Sequence, residues 1–484
     1  MEPTTSPTWD HGLLEEQRAA ASHVGSHARL LAGPGTGKTL TLTRRVVFLV
    51  TEKQIAPSDI LALTFTRVAA YQLRTEVKRH LDPLGHDLPQ ISTLHSFALR
   101  QLLRNANLID VLPQPLRIAD DWEEESIIRE DIKDLLSRKP GEVITASHDL
   151  SADWEKLQVE EPGWREAYLD QEFLGTWDEH RRIYGYTLRS ELVYQLKRSL
   201  EQVPGFALES GFKHVLIDEY QDLNPCDLAI TQRIAQLGVE LMASGDDDQS
   251  IYGFRNADPS GIRDFLEHFP GAADRKLVEC KRCGSQILAS AIGVAEQDRD
   301  RVTKELVAAP GQPDGEVRLL SFGRENSEAA GIPQICASLI SEGAAPSDML
   351  ILLRSDFRGV FSDPLKSQIE ELGIPVVSRG SRQTVLDNPS GRRLLSLLHI
   401  MRNGEDHLAW RSRLQLTPGI GAETLKTIYA SAHSKGWTFF QALNDAAQHP
   451  SSVGIRSSLV SKEFQKILDI IGPYKAQASE QEVT

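Results

Sequence analysis

Apolar positions along this chain follow two periods. Ala28-Arg29-Leu30-Leu31 is a tight apolar run that predicts a short strand, and a glycine-rich turn follows it. From about Thr39 to Val50 the apolar residues return at helical spacing. Asp59 to Thr64 again has β character, and Val68 to His80 is helical. Strands separated by helices predict a parallel sheet covered on both faces, an α/β fold. From about residue 108 to residue 200 the strand runs vanish, and Trp122, Trp154, Trp164 and Trp177 sit among charged residues. This stretch predicts a helical insertion, with the acidic run Asp120 to Glu125 as a solvated face. Strand signals resume at Val215 to Ile217 and at Val239 to Ala243. A break near Pro270 to Ala273 suggests a domain boundary. Val317 to Leu320 and Met349 to Leu353 predict strands of a second α/β unit. Beyond about Leu386 the pattern is helical, and the polar tail from Lys475 is expected to fray.

Composition changes this picture little. The 484 residues suggest about three domains. Lys plus Arg is 53 and Asp plus Glu is 68, a net charge of −15, which excludes a histone-like polycation but not a local basic groove. Four cysteines, Cys226, Cys280, Cys283 and Cys336, make no disulfide framework. Cys280 and Cys283 form one C-x-x-C, but no second pair follows at zinc-finger spacing. No stretch approaches the ~20 apolar residues of a membrane span. Met1 to Asp10 has neither the basic nor the apolar region of a signal peptide. The expectation is a cytoplasmic protein without a membrane partner. There is no repeat at a fixed period.

The candidate chemistry begins at Ala32-Gly33-Pro34-Gly35-Thr36-Gly37-Lys38-Thr39, between the first strand and its helix. Glycines let backbone N–H groups turn onto phosphate oxygens, and the helix N-terminus adds its positive end. In such a P-loop Lys38 reaches the β- and γ-phosphates and Thr39 holds Mg²⁺. Val215-Leu216-Ile217-Asp218-Glu219 is an apolar run ending in two carboxylates. Asp218 can hold the metal's water shell, and Glu219 can polarise an attacking water. Together these predict a Mg-dependent nucleoside-triphosphatase site.

Longer motifs carry a resemblance. Asp218-Glu219-Tyr220-Gln221-Asp222 matches a D-E-x-Q-D signature, and Gly245 to Arg255 (GDDDQSIYGFR) lies close to a third motif of the same set. Ile60 to Arg74 and Thr93 to Phe97 match intervening motifs, and Leu13 to Gln17 matches a glutamine motif. In this order the chain resembles superfamily 1 DNA helicases of the UvrD/Rep/PcrA group. The resemblance implies that Gln17 reads adenine and that Gln249 contacts the γ-phosphate. It implies that Arg282 is a γ-phosphate finger, so that Lys38, Glu219, Gln249 and Arg282 form the catalytic set. It places Thr64, Phe65, His95, Tyr252, Phe254 and Arg255 on single-stranded DNA, where aromatic faces stack any base. Thr417-Pro418-Gly419-Ile420-Gly421 resembles a helix-hairpin-helix turn that grips duplex phosphates.

The sequence also departs from the group. Arg67 stands where Asn is usual, and Lys281 stands where a tyrosine stacks on adenine. The fifth and sixth motifs are not found. Ala432 to Trp437 has only a superficial likeness to the fifth and is read as coincidence. The implied architecture is a RecA-like core in two parts, 1–107 and 201–271, split by the insertion 108–200. A partial second RecA-like domain follows over 272–384, then a helical subdomain over 385–484. The implied function is a 3′→5′ ATP-dependent DNA helicase or translocase of repair, recombination or defence. Its partners would be single-stranded DNA, duplex junctions and a protein supplying the missing motifs. A nucleotide-gated DNA-binding module with weak ATPase and no autonomous unwinding stays open, as does a DNA-independent NTPase.

Overall fold

The structure, a computed structural model, describes residues 8–109, 112, 116–209, 211–356, 359–377, 386, 388–453 and 458–481. The chain start to residue 7 and the boundary expected at 384–385 lie outside them.

Six parallel strands build the central sheet: β1 (Ala28–Ala32), β2 (Ile60–Thr64), β3 (Gln90–Thr93), β4 (His214–Ile217), β5 (Glu240–Gly245) and β6 (Ala273–Leu277). Their spatial order is β3-β2-β4-β5-β1-β6. Every residue of β1, β2 and β4 is buried, which is why these strands read as unbroken apolar runs. The pleat sends Leu61, Leu63, Val215, Ile217, Leu241 and Ala243 to one face. There they meet the helices Leu94–Arg104, Leu192–Gln202 and Pro225–Ala235. Ile60, Ala62, Leu216 and Met242 go to the other face. These pack on Leu42, Val46 and Leu49 of the helix Lys38–Thr51 and on Leu73 and Val77 of the helix Arg67–Leu81. The register pairs Leu63 with Ile217, Ile217 with Ala243 and Leu31 with Gly245, so β1, β2, β4 and β5 end within about three residues of one another on one edge. Open parallel sheets bind ligands along that carboxyl edge.

The sequence pattern misses β3 and β6, the two edge strands. β6 reads ADRKL and alternates in exposure, as an edge strand blunted by charge does. It pairs with β1 from Ala28↔Ala273 to Ala32↔Leu277. Residues 273–277 therefore complete the first sheet, whereas the sequence pattern starts a second core at 272.

The insertion and the C-terminal helices, read from sequence as separate parts, share one continuous core. Trp154, Trp177 and Tyr184 of the insertion lie in it with Trp410, Tyr429 and Phe439 of the C-terminal region. Each segment carries one apolar face, and the two faces bury each other. Buried ion pairs cross the seam, with Arg411 2.7 Å from Asp131 and Arg117 2.8 Å from Asp406. The acidic run is not the solvated face its charge suggests. Glu123 is buried against Arg117, while Asp120 caps its helix through the Glu123 N–H and pairs with Arg392. The last helix, Ser458–Gln481, continues past Lys475, where Ala, Gln and Glu favour helix.

Glu316–Asn388 is a separate compact unit. Its described residues form two packed helices, Glu325–Ser341 and Ser362–Glu371, and no strand. Val317–Leu320 and Met349–Leu353, expected as strands, are irregular. A strand needs a ladder partner for its N–H and C=O groups, and among the described residues neither run has one. Leu319, Leu350 and Leu352 are left exposed. Among the described residues no helix is long and apolar enough to cross a membrane.

Candidate nucleotide and nucleic-acid site

The P-loop leaves β1 at Ala32 and enters the helix at Lys38. Gly35 and Gly37 have φ of 70° and 88°, left-handed values that only glycine adopts cheaply. Neighbours also close in on both. A Cβ on Gly37 would lie 2.4 Å from Gln17 Nε2, and one on Gly35 would lie 2.4 Å from Arg282 Cβ. Gln17 is buried; its Nε2 donates to the Thr36 carbonyl at 2.8 Å, and its Oε1 accepts from the Leu14 N–H at 3.0 Å. Its amide thus braces the P-loop in this state.

Strand β4 delivers the two carboxylates opposite. Lys38 Nζ is ion-paired with Glu219 and lies 3.8 Å from Asp218 Oδ1. Asp218 Oδ1 also accepts from the Ser244 hydroxyl at 2.8 Å and from the Glu219 N–H at 3.0 Å. Burial raises the Asp218 pKa, and Lys38 offsets this only in part. Asp222 is pushed up to about 7 by burial and by the charge of Glu219. Glu219 itself has φ of 56°, a left-handed backbone at a non-glycine residue that aims its side chain back at the P-loop. Thr39 is exposed on the first helical turn.

Gln221 knits the next motif to this one. Its Nε2 donates to Glu219 Oε2 at 2.9 Å, and its Oε1 accepts from the Asp246 N–H at 3.0 Å. Gln249 Nε2 donates to Asp246 Oδ2 at 2.7 Å. From the other side the Lys281 N–H donates to the Gly35 carbonyl at 2.9 Å, which brings the Arg282 main chain onto the P-loop. The neighbouring Cys280 is buried, and its Sγ accepts from the Cys283 N–H at 3.4 Å.

The residues matched to DNA contacts form a second cluster. Phe65 and Tyr252 have ring centroids 5.0 Å apart, and Tyr252 and Phe254 5.8 Å. Phe254 is 80% exposed at the end of this ladder. His95 is held at about 4, so it is neutral; burial is the main cause, with the charges of Arg189, Arg255 and Arg67 adding to it. Those three arginines put positive charge around His95, and Arg255 follows Phe254 in the chain. Arg189 comes from the insertion, and the sequence motifs do not point to it. Thr64 is buried, and its hydroxyl donates to the Thr66 carbonyl at 3.0 Å, so it presents no free edge. Ser244 lies outside the motifs, and Gln221 and Asp246 lie within them without an assigned role; their hydrogen bonds show what each holds. The turn Thr417 to Gly421 joins the helices His407–Gln415 and Ala422–Lys435, with Gly419 at φ of 90°. Ala432 to Gly436 is the end of the second of these helices. There Gly436 takes the left-handed cap and Lys435 pairs with Asp445 at 2.9 Å.

Comparison with known proteins agrees with this geometry. The chain is 28% identical over 443 residues to the ATP-dependent DNA helicase PcrA of Staphylococcus epidermidis, covering 89% of this chain and 59% of that protein. It is 27% identical over 476 residues to DNA helicase II of Escherichia coli, covering 95% and 64%. The ATP-dependent DNA helicase UvrD1 of Mycobacterium leprae matches at 28% over 470 residues, covering 90% and 58%. The chain thus spans about three-fifths of the length of these relatives. The family model for the UvrD/REP helicase N-terminal domain matches residues 13–270, more than half of the chain, and with the RecA-like sheet and its P-loop it establishes that this protein belongs to the UvrD/REP helicase family.

Proposed function

We propose that this protein is an ATP-driven motor on single-stranded DNA, moving 3′→5′, with Mg²⁺ as the nucleotide's companion ion. We place its work in repair, recombination or defence against foreign DNA. One observation carries the reading: Lys38 of the P-loop is paired with Glu219 and adjoins Asp218, on the sheet's carboxyl edge. Without nucleotide, Lys38 and Glu219 neutralise each other. Phosphate oxygens draw the ammonium away from Glu219, and the freed carboxylate accepts a proton from the attacking water. The residues also fit a metal. Asp218 is a buried carboxyl whose charged form is disfavoured by desolvation, and a dication would relieve that cost. Asp218 and Thr39 would hold Mg²⁺, which when bound neutralises charge across the β- and γ-phosphoryl oxygens. Arg282 would stabilise charge developing on the γ-phosphoryl, and Gln17 would meet the adenine edge after leaving the Thr36 carbonyl.

DNA would stack on Phe65, Tyr252 and Phe254, with Arg67, Arg189 and Arg255 tracking its phosphates. A hydrogen-bonded route through Glu219, Gln221, Asp246 and Gln249 connects the carboxylate to the loop that bears Tyr252. This route supports hydrolysis that responds to DNA. The test is ATP turnover with and without a dT oligonucleotide in wild type, Lys38→Ala and Glu219→Gln. DNA should stimulate wild type, Lys38→Ala should be inactive, and Glu219→Gln should bind ATP but turn over slowly. Wild-type turnover in a folded Lys38→Ala protein would sink the assignment.

A second reading rests on residues 316–388, whose described part holds no strand. Alternating grip in such motors uses two lobes that close and reopen with ATP. This polypeptide would then act as a nucleotide-gated DNA binder with weak ATPase. Strand displacement on a 3′-tailed duplex separates the two readings.

A further inference from the structure

Asp246, Asp247 and Asp248 bring three carboxylates within 4.8 Å of one another, and the first two are buried. Such a cluster needs cations at hand. Lys304 supplies the central one. Its ammonium is paired with Asp246 and lies 2.6 Å from Asp247 Oδ1 and 2.9 Å from Asp248 Oδ2, with its side chain 6% exposed. Burial alone would lower its pKa, but the three carboxylates outweigh that and hold it above its ordinary value. Arg301 grips Asp248 through two bonds of 2.9 and 2.6 Å, and Arg263 Nε lies 3.1 Å from Asp247. Among the cations shown in the cluster, only Lys304 touches Asp246.

Lys304 belongs to an irregular strap, residues 301–306, that no motif marks. The Val302 N–H donates to Asp247 Oδ2 at 2.7 Å. Leu306 lies over the P-loop, where a Cβ on Gly33 would be 2.7 Å from its Cδ1. The strap then becomes β8 (Val307–Ala308), which pairs with β7 (Glu279–Cys280), the strand just before Arg282. One short segment thus touches the γ-phosphate-sensing loop, the P-loop and the arginine strand.

We propose that Lys304 is a positioning residue for ATP turnover, holding Asp246 so that Asp246 in turn aims Gln249 at the nucleotide. This rests on the ATPase reading above. Lys304 acts at one remove, because Asp246 Oδ2 accepts from Gln249 Nε2 and the Asp246 N–H meets Gln221, which binds Glu219. Without the ammonium, the buried Asp246 carboxylate is uncompensated and turns or takes up a proton. Gln249 then loses its anchor while the P-loop keeps its phosphate contacts.

The test compares wild type, Lys304→Met and Lys304→Arg in ATP turnover and in nucleotide-free amide exchange. Misplacing one reacting group by about an ångström costs about 10²-fold, so Lys304→Met should lose about that in kcat while KM stays within about threefold. In the absence of nucleotide its Gln249 and Ser250 amides, bonded to the Asp246 and Asp247 carbonyls at 2.9 and 3.2 Å, should exchange about tenfold faster or more. Lys304→Arg keeps the charge and should recover most of that protection. Unchanged exchange at 249–250 in Lys304→Met overturns the inference, as does a kcat within about threefold of wild type. If Lys304→Met does not fold, Asp246→Asn weakens the same pair from the other side and carries the same two expectations. A wild-type protein that neither binds nor hydrolyses ATP defeats the ATPase reading and the catalytic half of this inference together. Amide exchange still decides whether Lys304 holds the loop.

Discussion

Replacing Phe254 by alanine separates a DNA-stacking role from a structural one. The ring is 80% exposed, so only about a fifth of it is buried in the free protein. Full burial of a phenylalanine side chain stabilises by roughly 1.5–3 kcal/mol, so the folding cost of the change is at most about 0.6 kcal/mol. Loss of the ring contact with Tyr252, at 5.8 Å between centroids, adds about 0.5–1.5 kcal/mol at most, less for so exposed a pair. A stacked base is worth about 1–3 kcal/mol, which is about 5- to 150-fold in Kd. The binding loss can reach about 3 kcal/mol and the stability loss at most about 2 kcal/mol, so the two are measured separately. Fluorescence anisotropy with a labelled dT oligonucleotide measures the first, and thermal unfolding the second. The salt dependence of binding should keep its slope, because no charge is removed. The loss should also be equal on dT and dA strands, since an aromatic face holds no base code. A Kd within about twofold of wild type, with the fold intact, would refute the ladder as a DNA platform.

Further expectations follow from the same geometry. Arg255→Gln should weaken single-stranded DNA binding and reduce the log–log salt slope by about 0.7, measured in the same titration across salt. Lys38→Ala should abolish ATP turnover and lower the unfolding temperature, because the Lys38 side chain is 11% exposed and its loss leaves Asp218 and Glu219 without their cation; colorimetric phosphate release and calorimetry check the two halves. Burial would raise the Asp131 pKa, but Arg411 and the hydrogen bond with His180 outweigh it and hold the group at about 2. Its stabilisation is complete above about pH 5 and is lost progressively as pH falls from about 5 to about 1. A carboxyl held at about 2 instead of 3.8 contributes about 2 kcal/mol. Asp131→Asn should remove that acid-limb dependence and lower stability at pH 7, read by urea unfolding across pH.

The local chemistry and the inner strands are legible in the residues alone. A buried parallel strand must be apolar on both faces, so β1, β2, β4 and β5 announce themselves. A phosphate loop must have glycine where φ is positive, so Gly35 and Gly37 mark the P-loop in the sequence. Asp218 and Glu219 follow an apolar strand because such a strand ends at the sheet's binding edge. The edge strands β3 and β6 escape this logic: β6 meets solvent on one flank and carries charge, and β3 is a mostly buried run of four residues in which only Ile91 is apolar. The apolar runs at 317–320 and 349–353 mislead for the converse reason. Apolar sequence makes a strand possible, and only a hydrogen-bonding partner makes one. Long-range pairings were decided by the tertiary structure alone. Lys304 is 56 to 58 residues from the carboxylates it joins, and Arg411 is 280 residues from Asp131. No period or motif encodes such distances. They arise when two amphipathic helical segments bury a common face, or when a strap crosses a sheet edge, and burial then requires each charge to find its opposite.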